Sequence, residues 1–422
     1  MLYYAKGSKE GFLSPQEVKE ALFGVFRALG PRKRVLAIPP DFTRLNSYAG
    51  PITGMVEEYY GEALTDVLPA LGTHSPMTPE QISEMFPGVP AGKFRVHDWR
   101  NGVDTIGEIP SSYVEQVSEG RLHYSMKVQV NRLLLDPGFD AIFSIGQVVP
   151  HEVVGMANHA KNIFVGTGGS DFINKSHFIG ASYGLERIMG RASGPVRDVF
   201  EYARTRFAAG LPIIYILTVR AKEDGRMVTK GLFAGDDFEC FRLASELSLE
   251  TNFIMLDRPV KKCLVWLDPA EFKSTWLGNK AVYRTRMALS DDAELIILAP
   301  GLREFGEDSQ VDALIRRYGY RGTSATLAAV EADPALRQNL GAPAHLIHGS
   351  SEGRFSITYA PGPGMSREEI EGVGYAFGDL DSLVAKYHPE TLSDGWNIVD
   401  GEEIYYISNP ALGLWACRER FK

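Results

Sequence analysis

The sequence predicts an α/β protein, built as two α/β domains facing a central cleft. Three observations carry this reading. Short apolar runs recur along the chain, mostly rich in β-branched residues and bounded by Gly, Pro or Asp, as buried strands are. Amphipathic stretches with helical spacing lie between them, and such alternation means sheets covered on both faces. The alternation runs through 422 residues, more than one domain usually holds.

In chain order, "RVLAIPP" (34–40) is the first of these strands and "LPALG" (68–72) another. "TPEQISEMF" (78–86) is a helix, with Thr78 as N-cap, Pro79 at its first position and Gln81 closing a capping box. "FDAIFSIG" (139–146) and "LPIIYILTV" (211–219) are strands flanking the helix "PVRDVFEYARTRFAAG" (195–210). The helix "DDFECFRLASELS" (236–248) follows. A boundary falls near "LDRPVKKC" (256–263), where Pro259 interrupts a charged stretch. The expected division is 1–258 and 259–400, with the tail 401–422 offered to the first domain. Beyond the boundary, strands "CLVWLDP" (263–269) and "AELIILAPG" (293–301) alternate with helices "NKAVYRTRMALS" (279–290) and "SQVDALIRRYGYRG" (309–322).

Composition excludes several classes. A net charge of −9 argues against nucleic acid or an anionic membrane as the main partner. No apolar run reaches the roughly 18 residues of a membrane helix, and the first residues lack a signal pattern. The three cysteines, Cys240, Cys263 and Cys417, are odd in number and far apart, which fits a reducing compartment. The expectation is a cytoplasmic protein acting on a small molecule. Nothing in the chain fixes an oligomeric state.

In open α/β sheets, ligands bind beyond the carboxyl ends of the strands, so the residues there matter most. "DFTR" follows the first strand with Asp41, Thr43 and Arg44. A plain turn is the competing reading, since Asp and Thr are good turn residues. "GTH" puts Gly72, Thr73 and His74 in a strand–helix loop. His151 follows "FDAIFSIGQVVP" in the same manner. Two histidines beyond two strands suit a general acid and base on opposite faces of a substrate, although either could be an ordinary surface residue. Lys161 comes ten residues after His151 and His177 sixteen after that. Between them "FVGTGGSDF" (164–172) carries Gly168 and Gly169, which would let backbone approach a ligand. Its spacing is neither that of a dinucleotide fingerprint nor of a P-loop. His151, His159 and His177 match no common zinc spacing.

Taken together and in order, these residues resemble the nickel-pincer lactate racemases and their lactate racemase domain relatives. The resemblance rests on "DFTR", "GTH", His151, Lys161 and His177, and covers most of the chain. It implies a covalently tethered cofactor, pyridinium-3,5-bisthiocarboxylic acid mononucleotide carrying nickel. It assigns Lys161 as the tether and His177 as the one protein ligand to nickel. His74 and His151 become the acid–base pair. Asp41, Thr43, Arg44, Gly72, Thr73, Gly168 and Gly169 become cofactor contacts, with Asp41 orienting Arg44 toward a carboxylate. The implied reaction inverts C2 of a 2-hydroxy acid by hydride transfer to the cofactor and back.

The second half departs from the lactate enzymes. Tyr283 fits, but Arg284 stands at the Gln position and Met287 at the Lys position, so Arg284 or Arg286 is expected to take the substrate carboxylate. "PGLREFGED" (300–308) and "AHLIHGSSEGRF" add Glu307, His345, His348, Ser350 and Ser351. These suggest a polar pocket for a sugar acid of the gluconate or mannonate type, with loop polarity as the plain alternative. A small or aromatic 2-hydroxy acid is the second substrate reading. A hydrolase with zinc held by His74, His151 and His177, and a relative that only carries the cofactor, are the rivals from other classes.

Overall fold

The computed structural model describes residues 1–223, 226–306 and 308–421. The chain forms two compact units. One comprises Met1–Ile179 and Ile188–Asn252, the other Gly180–Arg187 and Phe253–Lys422. Among the described residues no helix is long and apolar enough to cross a membrane.

The first unit is built on a six-stranded sheet, in the order Leu2–Gly7, Arg226–Gly235, Ile213–Glu223, Ala141–Gln147, Val35–Ile38, Leu64–Val67. The last four strands are parallel; the first two close the sheet as antiparallel neighbours. Val35–Ile38 is wholly buried because helices cover both faces, which is what its unbroken apolar run requires. The helix Pro15–Leu29 is started by a full capping box at Ser14 and Glu17 and turns Val18, Leu22, Val25 and Phe26 inward. Burying each such side chain contributes roughly 1.5–3 kcal/mol.

The strand order positions the site. Val35–Ile38 comes first of the four parallel strands in the chain, yet its two later neighbours lie on opposite sides of it. Connections from adjacent strands therefore leave in opposite directions, and a crevice opens beyond their carboxyl ends.

One expected strand is displaced. The pairing segment is Leu64–Val67, upstream of "LPALG". Pro69 has no N–H to continue the ladder, so after Leu68 only the Ala70 amide still reaches across, to the Pro39 carbonyl at 2.8 Å. The helix Pro79–Met85 has the expected capping box at Thr78 and Gln81.

The second unit carries its own six-stranded sheet, in the order Ala376–Phe377, Ser356–Pro361, Leu289–Ala299, Val260–Trp266, Glu402–Ile407, Gly395–Val399. All neighbours are parallel except the last pair. This corrects the expected division in two ways. The second unit begins at Phe253, and the tail belongs to it: Glu402–Ile407 pairs with Val260–Trp266, and Trp415–Cys417 pairs with Ile254–Leu256. The reason is burial, since Ile404, Tyr405, Tyr406 and Ile407 complete this sheet's core. The expected helix 279–290 is also shorter. It spans Lys280–Tyr283; the strand begins at Leu289, and Met287 is fully buried in a bridge to Ala416.

Candidate active site

Asp41 lies at the end of the Val35–Ile38 strand, past Pro39 and Pro40. It is 5% exposed and caps the short helical turn Phe42–Ser47. One carboxylate oxygen accepts from the Thr43 amide at 3.2 Å and from the Thr43 hydroxyl. The other accepts from Nδ1 of His74 at 2.6 Å. Burial alone would raise the Asp41 pKa, but the bonds from His74 and Thr43 outweigh it and hold the carboxyl below its usual range. The sequence reading had Asp41 orient Arg44. Its side chain is bonded to His74 and Thr43 instead, and Arg44 is exposed on the turn. From below, the Thr218 hydroxyl donates to the Ser47 carbonyl at 2.8 Å and Arg220 Nε to that of Asn46 at 3.2 Å, bracing the turn.

His74 is carried by a tight loop. Gly72 has φ +56°, a conformation that suits glycine, and its amide donates to the Gly166 carbonyl at 2.8 Å. The His74 amide donates to Leu71, and the ring is 58% exposed.

His151 follows the Ala141–Gln147 strand. Its Nδ1 accepts from the Val153 amide at 3.1 Å. Burial pushes its pKa well below the ordinary value; Glu152 opposes this, while Lys161, His177 and Arg44 add to it. Lys161 stands at the start of a π-helical turn, Asn162–Gly166, a form frequent at functional sites. Burial, then the charge of Arg44, push its pKa down to about 8. Its ammonium makes no hydrogen bond or ion pair among the described residues. His177 sits within the helix Ser170–Tyr183, with Nδ1 donating to the Ile173 carbonyl at 2.7 Å. Burial, then Lys161, lower it to about 4.

One cavity of about 250 Å³ gathers these groups. Asp41, Thr43, Arg44, Gly72, Thr73, His74, His151, Lys161 and His177 all line it. Gln147, Asn158 and Asn162 line it too and were not singled out from sequence. Asn162 donates to the Ile38 carbonyl at 3.1 Å and to Ser144 at 3.0 Å, fastening the cavity floor to two central strands. Asn158 has φ +72°, which Asn tolerates better than most residues. Buried Arg197, also unforeseen, holds that loop through the Met156 carbonyl at 2.7 Å.

Other expected residues are used differently. Gly168 and Gly169 do not line the cavity. A Cβ on Gly168 would lie 1.8 Å from the Phe164 carbonyl oxygen, and one on Gly169 would lie 2.4 Å from the Gln129 side chain. These glycines permit close packing of the chain on itself. His159 is fully buried, 3.9 Å from the Tyr215 ring centroid and 3.3 Å from Glu201, a core histidine.

Tyr283, Arg284, Arg286, His345 and His348 lie in the second unit. Arg284 donates to the Ala411 carbonyl at 2.7 Å. Arg286 is 4% exposed, 3.0 Å from Glu186 and 3.1 Å from the Ser350 carbonyl. Glu186 is held by Arg354 as well, at 2.7 Å. Burial would raise its pKa, but the two arginines win and lower it. His345 is buried against Trp276 and shares a 3.0 Å hydrogen bond with the Tyr320 hydroxyl. His348 is buried beside Tyr283, and Ser350 is buried and bonded to Glu352. Glu307 lies outside the described residues. Arg286 and His345 are thus engaged within their own unit.

Among the described residues no three His, Cys, Asp or Glu side chains converge as a metal site. The three-histidine zinc centre of the hydrolase reading therefore has no support. The donor set suits a different group. His177 spends Nδ1 on a carbonyl, which leaves Nε2 a bare lone pair for one metal bond. Lys161 makes no hydrogen bond or ion pair among the described residues, and its pKa of about 8 brings the nucleophilic neutral amine within easier reach than in an ordinary lysine. A cofactor attached through a lysine and ligated by one imidazole fits both.

Residues 24–184 match the family model of the lactate racemase N-terminal domain. Two solved structures are similar over nearly the whole chain. One is a Thermotoga maritima protein from a structural genomics consortium. It is 22% identical with a TM-score of 0.79, and the match covers 98% of this chain and 100% of that one. The other is the lactate racemase apoprotein from Thermoanaerobacterium thermosaccharolyticum, 16% identical with a TM-score of 0.70, covering 97% of this chain and 94% of that one. At such identities the likeness is one of fold. No curated protein matches the chain.

Proposed function

From the match of residues 24–184 to the lactate racemase N-terminal domain model, we propose that this chain is a member of the lactate racemase domain family and inverts C2 of a 2-hydroxy acid. The observation that carries this reading is the single cavity that joins His74 and His151 to Lys161 and His177. In this reading His74 and His151 exchange protons with the substrate hydroxyl, and Arg44 draws in the carboxylate. Lys161 would tether the nickel-pincer nucleotide of the family and His177 Nε2 would ligate its nickel. When bound, that group supplies a reversible hydride acceptor for the C2 hydrogen. The protein positions the hydroxyl, orients the imidazoles and keeps Lys161 unencumbered for attachment.

The substrate class we propose is a sugar acid, epimerised at C2 as between gluconate and mannonate. Support comes from the cavity wall. Thr73, Gln147 and Asn158 are polar side chains beyond those the reaction itself needs, and they suit further hydroxyls. A small 2-hydroxy acid is the second reading, favoured by the burial of His345 and His348 in the core of the second unit.

The test uses cofactor-loaded protein in heavy water, with gluconate and lactate supplied separately and followed by NMR. The expected result is inversion at C2 of gluconate, little or no deuterium at that carbon, and lactate turned over far more slowly. Equal rates would reject the sugar-acid assignment. Deuterium filling C2 would reject hydride return, and no inversion of any 2-hydroxy acid would reject the racemase reading.

A further inference from the structure

Three imidazoles line the cavity, and the partner of each Nδ1 fixes where the proton of the neutral ring sits. A backbone amide can only donate. The Val153 N–H, 3.1 Å away, therefore makes Nδ1 of His151 an acceptor, and the ring proton lies on Nε2; the Glu152 carboxylate, 3.9 Å from the same nitrogen, is beyond hydrogen-bond reach. A carboxylate can only accept. Asp41, 2.6 Å away, therefore makes Nδ1 of His74 the donor and leaves its Nε2 bare. Asp41 is ionised, because its own bonds hold its pKa down. The Ile173 carbonyl does to His177 what Asp41 does to His74. The two histidines assigned to proton exchange thus hold opposite tautomers.

We infer that they form an unequal pair: Asp41 and the Val153 amide are positioning groups that make His74 the proton acceptor of the resting site and His151 its hydrogen-bond donor. The inference rests on the 2-hydroxy acid reading above. A substrate whose hydroxyl faces His74 enters directly. Its O–H bond breaks as an N–H bond forms on Nε2, and the imidazolium so made is balanced by the Asp41 carboxylate. The oxygen electron pair would become the second bond of the carbonyl, with the C2 hydrogen leaving as hydride to the acceptor that the family's cofactor would supply. His151 offers its Nε2–H to the substrate as a neutral donor, and burial favours the neutral ring. The other epimer presents its hydroxyl to His151, whose Nε2 is occupied by a proton. To accept another, that ring must first move its proton to Nδ1, and this breaks the bond from Val153. Two epimers of one substrate therefore meet two differently prepared sites.

The tautomers are read directly by two-bond nitrogen–proton NMR on histidine-labelled, cofactor-free protein at mildly alkaline pH, where ordinary imidazoles are neutral. The expected pattern is protonated Nδ1 for His74 and His177 and protonated Nε2 for His151. Asp41→Asn then gives a sharper test. Oδ1 of the new amide stays the acceptor for the Thr43 amide, so its NH₂ group faces His74 Nδ1 and can only donate. His74 is driven to the Nε2–H form, while His151 and His177 keep theirs. In loaded protein the same variant should lose turnover by roughly 10³–10⁴-fold, the scale of a wrong tautomer in a carboxylate–histidine pair. A shared tautomer for His74 and His151 in the unmodified protein overturns the inference, as does an unchanged His74 in a folded Asp41→Asn variant. If that variant does not fold, the unmodified protein's spectrum decides alone. Failure here leaves the racemase reading intact, and absence of any 2-hydroxy acid inversion leaves the tautomer assignment intact, so the two are separable.

Discussion

Lys161 shows how the site trades stability for chemistry. Its pKa falls from 10.5 to about 8 in the folded chain, so the unfolded chain holds that proton more tightly. The charged lysine therefore costs stability in full below pH 8, and the cost fades as pH rises from 8 through 10.5. Lys161→Met should raise stability at pH 7 by about 1–3 kcal/mol. That gain should shrink toward zero above pH 10, as read by urea denaturation at each pH. Loss of stability at neutral pH would mean that the ammonium has a favourable partner. The same variant should lose any covalent adduct in intact-mass analysis of loaded protein. At this scale the sequence was informative where function repeats a spacing: His74, His151, Lys161 and His177 share the cavity. Asn162 and Arg197 were not legible. Their work is to satisfy distant backbone carbonyls, Ile38 and Met156, and no local pattern encodes such long-range bonds.

Among the elements, the turn Gly166–Gly169 separates glycines that pack from glycines that merely bend. Gly168→Ala places a methyl 1.8 Å from a backbone oxygen that cannot swing away. The cost should be about 3 kcal/mol or more. Gly210→Ala meets nothing within 4 Å, and its effect should stay within about 0.5 kcal/mol. Equal midpoints in urea for the two variants would contradict this account. Strands with unbroken apolar runs and the helix with a capping box were legible because local chemistry decides them. "LPALG" misled because its apolar residues are buried while its proline ends the ladder. "NKAVYRTRMALS" misled because Met287 and Leu289 are buried by the sheet, a tertiary effect that overrides helical spacing.

Over the whole molecule, two α/β units were legible from alternation and their boundary was not. Phe253 opens the second unit a few residues before the Pro259 break, and Gly180–Arg187 joins it from far upstream, a step that leaves no mark in composition. Arg286 belongs to this level. With one guanidinium bonded to Glu186 and to the Ser350 carbonyl, Arg286→Met should destabilise the protein by about 1–3 kcal/mol, since a half-buried carboxylate and a buried carbonyl each lose a partner. Arg354 stays bonded to Glu186 and keeps part of the compensation. Thermal unfolding measures it. A variant of unchanged stability with a raised KM would return Arg286 to the carboxylate role expected from sequence.

That upstream segment also imposes an order of events on the ribosome. Glu186 is made 100 residues before Arg286 and 168 before Arg354. At about 5–20 residues per second, Arg286 arrives roughly 5–20 s later. During that interval the largely helical residues 180–187 lack the second unit they belong to, while residues 188–252, which follow them, are already being added to the first unit. The nascent chain thus passes through a stage in which the end of the Ser170–Tyr183 helix and the short helix after it wait without their partners, accessible to chaperones and proteases alike. Chains arrested before Arg286 is translated should be cleaved within 180–187 under mild proteolysis, and released full-length chains should be protected there.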